Sequence, residues 1–68
     1  MKVDFKKLRA IRELRKYSQE ELARMTGLSA ETIRRVENGK TQDPGIITLS
    51  LITKALLIDL KEILIEGE

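Results

Sequence analysis

What chemistry this chain can do rests on thirteen lysines and arginines, eleven aspartates and glutamates, and a few hydroxyls. It contains neither cysteine nor histidine. That excludes disulfide frameworks, zinc fingers, Cys–His nucleophile pairs and His-based proton shuttles. Glu20 and Glu21 are adjacent, but neighbouring residues on a helix point to different sides, so they do not form a carboxylate pair for acid–base work. At a helix start their charge instead complements the positive end of the helix dipole. No glycine-rich phosphate loop occurs, and nothing argues for an enzyme, a cofactor or a small-molecule ligand. Only Phe5 and Tyr17 are aromatic and there is no tryptophan, which weighs against a stacking platform for single-stranded nucleic acid. What remains is recognition by charge. The net charge of +2 hides an opposed pair. Residues 1–40 carry eleven basic and six acidic side chains, or +5, whereas residues 41–68 carry two and five, or −3. Lys6, Lys7, Arg9, Arg15 and Lys16 read as a solvated basic face with general attraction for polyanions. Arg34 is a candidate phosphate clamp from its charge and helical position.

Short helices must position these groups. The chain has one proline and is rich in Leu, Ile, Lys, Arg and Glu, which favours helix. Asp4 can cap a first helix to about Lys16, with Phe5, Leu8, Ile11 and Leu14 recurring every third residue along its inner face. Ser18 and Glu21 have the capping-box spacing for a second helix, which Gly27 ends. Ser29 caps a third, with Ile33 and Val36 facing inward, and Asn38-Gly39 stops it. Residues 38–45 form a loop. A fourth helix is expected from Ile46 to Leu56, packing through Ile46, Leu49, Ile52, Thr53 and Leu56. Asp59 and Glu62 repeat the capping-box spacing before a short fifth helix ending near Ile65. Sixty-eight residues make one domain, and the expected fold class is all-α, a compact five-helix bundle.

Two of these helices meet at a tight turn through Gly27, with the small Ala23 four positions before it. Such a pair presents its second helix as a rod able to lie in a DNA major groove. The run Ile11-Arg12-Glu13, Ser18 to Ala23, Gly27-Leu28-Ser29, Ile33 and Val36 to Lys40, continuing through Pro44, Leu49, Ala55-Leu56 and Leu60 to Ile63, resembles the lambda-repressor-like (Cro/repressor-type) helix-turn-helix domain over nearly the whole chain.

The resemblance implies a helix-turn-helix at about 18–37 and base reading from the first turn of the third helix and one turn further on, hence by Ser29, Ala30, Glu31 and Arg35. Arg35 can offer a fork to guanine, Glu31 can accept from the cytosine amino group, and Ala30 can touch a thymine methyl. It implies backbone contacts from Gln19, Asn38 and the Lys40–Thr41 loop, and an internal ion pair between Arg12 and Glu37. The chain departs from the family at Asp43, where basic residues are common, at Glu31, which brings negative charge towards phosphate, and at Leu57, where glycine is usual.

The last third carries more apolar residues than one small core needs. Ile47 and Leu51 form an i, i+4 pair on a separate face, and Leu57, Leu64 and Ile65 have no evident core position. A homodimer through residues 46–65 would cover them and assist a core of marginal size. The implied function is a sequence-specific double-stranded DNA-binding transcriptional regulator, a dimeric repressor on a pseudo-palindromic operator. The alternative is a protein-interaction module on the same scaffold, an antitoxin-like partner or a coactivator adaptor. No apolar run of secretory or membrane-spanning length occurs, so the expected place of action is the cytoplasm, at the nucleoid. An initiating Met1 and a closing fifth helix suit a small regulator better than a fragment of a longer one.

Overall fold

Residues 2–40 and 44–65 are described by the computed structural model of the chain. Four α-helices follow one another: α1 (Phe5–Leu14), α2 (Gln19–Thr26), α3 (Ala30–Glu37) and α4 (Ile46–Ala55). The Asp4 carboxylate accepts the Lys7 N–H at 3.0 Å and starts α1. At α2 the Ser18 hydroxyl accepts the Glu21 N–H at 3.0 Å while the Glu21 carboxylate accepts the Ser18 N–H at 2.7 Å. Ser29 caps α3 through the Thr32 N–H at 3.1 Å. Among the described residues, α4 has no side-chain cap at its start, where Gly45 precedes it.

Three helices end in the same closure, in which the first two N–H groups past the cap turn back to carbonyls of the last turn. After α1 these are Lys16 to Glu13 and Tyr17 to Arg12; after α3, Gly39 to Val36 and Lys40 to Arg35; after α4, Leu57 to Lys54 and Ile58 to Thr53. The closure requires a left-handed residue. Gly39 supplies it after α3, but Lys16 (φ 64°) and Leu57 (φ 61°) adopt it despite their side chains. The unusual residue at the α4 turn thus keeps the glycine conformation and takes the strain.

Leu8, Leu22, Ala23, Ile33, Val36, Leu49, Ile52, Leu56 and Ile63 form the core. Two expected core residues lie outside it. Leu14 is 76% exposed, because a three-residue step falls 60° short of a full turn and three such steps from Phe5 reach the opposite side of the helix. The inner row of α1 is Leu8 and Arg12, flanked by Phe5 and Ile11. Ile46 is 51% exposed, since a side chain at the first helical position leans back past the helix start and away from the core.

The expected fifth helix is a single 3-10 turn, Leu60–Ile63. Glu62 caps it through the Asp59 N–H at 3.1 Å. Beyond it the backbone is extended and pairs with the start of the chain. Val3 and Leu64 form an antiparallel bridge. Asp4 N–H donates to the Ile63 carbonyl at 2.7 Å, and Ile65 N–H donates to the Lys2 carbonyl at 2.9 Å. Backbone groups engaged with a neighbouring segment cannot continue a helix, so the described residues form four α-helices where five were expected. None of the helices among the described residues is long and apolar enough to cross a membrane.

Candidate nucleic-acid interface

The α2–α3 turn is held by conformation and by one hydroxyl. Gly27 sits at φ 78°, and a Cβ there would meet no atom within 4 Å, so the left-handed backbone alone selects glycine. Thr26 Oγ1 lies 2.9 Å from the Leu22 carbonyl and 3.1 Å from the Ala23 carbonyl, and accepts the Leu28 N–H at 3.2 Å. It therefore binds the end of α2 to the residue before the Ser29 cap. Thr26 was not among the residues expected at this turn, although a threonine beside a turn glycine is a recognisable local signal. Leu22, Ala23, Ile33 and Val36 are buried between the two helices, with Leu28 packed against them.

On α3 the buried residues are Ile33, Val36 and Glu37. Glu31, Arg34 and Arg35 fall on the solvent side and are all exposed. Ser29 is exposed at the helix start, and its hydroxyl also shares a 2.9 Å hydrogen bond with that of Thr32. Ala30 is half-buried against the core and offers only part of its methyl outward. Glu31 is not free. One carboxylate oxygen pairs with Arg34 and the other with Arg35 Nε at 3.2 Å. The spacings i, i+3 and i, i+4 carry that signal in the sequence.

Behind this face the last residue of α3 is locked to α1 and α2. The Glu37 carboxylate accepts Arg12 Nε at 2.6 Å and Arg12 Nη2 at 3.0 Å, and Gln19 Nε2 at 3.1 Å. Arg12 Nη1 donates to the Tyr17 carbonyl at 2.7 Å. The Arg12 and Glu37 side chains are 8% and 1% exposed. The hydrogen bond to Glu37, reinforced by its charge, holds the Arg12 guanidinium above its ordinary pKa against the opposing effect of burial. Gln19, expected at the DNA backbone, thus stands at the α2 start with its side-chain amide turned to Glu37.

The other proposed backbone-contacting residues surround α3. Arg34 is on its exposed side, Asn38 caps its end, and Lys40 follows, exposed, with its N–H closing the helix. Thr41 and Asp43 lie outside the described residues. Of the basic face of α1, Arg9 pairs with Glu13 at 3.3 Å, while Arg15 Nε donates to the Leu56 carbonyl at 2.6 Å and joins α1 to the end of α4.

Residues 8–63 match the sequence profile of the helix-turn-helix family. The chain belongs to the lambda-repressor-like helix-turn-helix family. Over 51 residues it is 45% identical to the HTH-type transcriptional repressor RghR of Bacillus subtilis (strain 168), an alignment covering 75% of this chain and 38% of that protein. The alignment thus spans well under half the length of this relative. In this helix-turn-helix domain α3 is the second helix of the motif, with the Arg12–Glu37–Gln19 cluster fixing it from behind.

Proposed function

We propose that this chain is a sequence-specific double-stranded DNA-binding transcriptional regulator. What carries the proposal is the exposed Glu31–Arg34–Arg35 face of α3, held at one end by the Thr26–Gly27 turn and at the other by buried Glu37. Ser29, Ala30, Glu31 and Arg35 would face base edges, with Gln19, Arg34, Asn38, Lys40 and Thr41 contacting the backbone. Phosphate contacts set the register of such a helix and base contacts its selectivity.

Two copies would bind together. Among the described residues, Ile47 (74% exposed) and Leu57 (81% exposed) on or beside α4 stand open to solvent, and Leu51 and Ile65 are exposed to a lesser degree, at 38% and 40%. Leu64 is half-buried beside its bridge to Val3 and contributes less. A two-fold pair would set its recognition helices in successive major grooves about 34 Å apart on a pseudo-palindromic operator. Repression by obstruction is the simplest mechanism, in keeping with the name of the relative RghR.

Titration of a labelled random duplex across a salt series tests the DNA reading. Affinity should fall steeply as salt rises, because bound arginines and lysines displace counterions. An affinity that is negligible at every salt concentration would favour the protein-interaction module instead. Sedimentation at micromolar concentration tests the pairing, and a monomer mass would refute it.

A further inference from the structure

Glu31 occupies the first turn of the recognition helix, where negative charge works against attraction to phosphate. Its two oxygens engage Arg34 and Arg35, the two cations on the same side of α3. The three side chains are about equally exposed, at 53%, 56% and 64%, so DNA can compete for any of them. Exposed pairs of this kind are weak and exchangeable. Granted the DNA-binding function proposed above, on which this rests, we infer that Glu31 is a discriminating residue. It withholds Arg34 and Arg35 from DNA in general and releases them where the bases supply replacement partners.

The chemistry of those partners follows from the groups involved. To give up Arg35 without loss, Glu31 needs a hydrogen-bond donor in the groove, and cytosine N4 is the base donor a carboxylate takes most readily. Arg35, once released, needs two acceptors side by side, which guanine supplies through O6 and N7. A phosphate can satisfy Arg34 or Arg35 but repels Glu31. Random sequence therefore meets a recognition face whose two cations are partly cancelled, and a site with cytosine and guanine at neighbouring base pairs meets one whose every charge is matched. Thr32 and Ser29 are already engaged with each other at the helix start and do not compete for the carboxylate.

The test uses the wild-type chain and the variants Glu31→Gln and Glu31→Asp. Each is measured by fluorescence anisotropy against a random duplex and against the site that in vitro selection yields for the wild type. Glu31→Gln should bind the random duplex about tenfold more tightly in low salt, with a log–log salt slope steeper by about 1–2 as both arginines reach phosphates. Its affinity for the selected site should stay level or fall, so the ratio of selected to random affinity drops at least tenfold. Glu31→Asp keeps the charge and should keep much of that ratio. Circular dichroism verifies that each variant is folded. Equal ratios for wild type and Glu31→Gln, with DNA binding intact, would overturn the role of Glu31 alone. A wild type without salt-dependent DNA affinity would overturn the DNA reading along with it.

Discussion

The Arg12–Glu37 pair offers the sharpest quantitative test of how α3 is held. Replacing Arg12 by Met removes the 2.6 and 3.0 Å bonds to Glu37 and the 2.7 Å bond to the Tyr17 carbonyl. The carboxylate that remains is 1% exposed, so water cannot replace the guanidinium, and only the 3.1 Å bond from Gln19 persists. Stranding a buried charge in this way costs roughly 3–5 kcal/mol. At 0.05–0.15 kcal/mol per residue, a chain of 68 residues has about 3–10 kcal/mol of stability in total. The single substitution should therefore bring the domain close to unfolding, as should Glu37→Leu, which strands the guanidinium. The double variant Arg12→Met with Glu37→Leu leaves no charge buried and should lose only about 0–2 kcal/mol against wild type. Urea unfolding followed by circular dichroism, with unchanged slopes across the series, measures the cycle. DNA binding should follow stability, nearly lost in each single variant at 37 °C and largely regained in the double. Two single changes of under about 1 kcal/mol that simply add would mean the pair is solvated like an exposed one, and the lock described for α3 would be wrong.

Other outcomes follow from separate features. Leu57→Gly should stabilise the isolated chain by about 0.5–1 kcal/mol, because a side chain at φ 61° is strained and glycine is not. Thermal melting should show this as a rise of a few degrees, while sedimentation should show weaker self-association. Glu21 is held below the ordinary carboxylate pKa, chiefly by the Ser18 backbone N–H and then by the Ser18 hydroxyl. The unfolded chain then binds the proton more readily, so this contribution is complete above the unfolded value of about 4.3 and is lost as pH falls through the lower folded value. Melting temperature plotted against pH should accordingly lose part of its acid limb in Glu21→Gln. Arg35→Ala should relax selection at one base pair and cost about 1–3 kcal/mol, whereas Lys40→Ala should weaken all DNA alike and flatten the salt slope by about one.

The features legible in the sequence were the local ones. The caps at Asp4, Ser18 and Ser29 and the stops at Gly27 and Gly39 act within one helical turn, and all lie where their spacing puts them. Features that depend on distant partners were not legible. Whether residues 63–65 continue as helix depends on residues 2–4 arriving alongside them, sixty positions away in the chain. The burial of Arg12 cannot come from periodicity, because a charge on an apolar face reads as an interruption until its partner 25 residues on is known. Family resemblance pointed to that pair, and hydrophobic patterning did not. The every-third-residue spacing that drew Leu14 inward was a misleading regularity, since it drifts around the helix while the core contact stays fixed. On the exposed face of α3 the residue types could be named from the sequence, but the engagement of both Glu31 oxygens depends on three side chains choosing one another.

The bridge between Val3 and Leu64 carries a topological consequence. Because Lys2 and Ile65 share a hydrogen bond of 2.9 Å, the described backbone is almost a closed ring. A short peptide linker from Ile65 to Lys2 could close it without moving any helix. Closure would act on the unfolded chain, removing the entropy of a loop of some sixty residues, which chain statistics put at about 4 kcal/mol. A ring of this kind could then be cut open elsewhere, giving new termini and the same α2–α3 face on a chain with its connectivity rearranged.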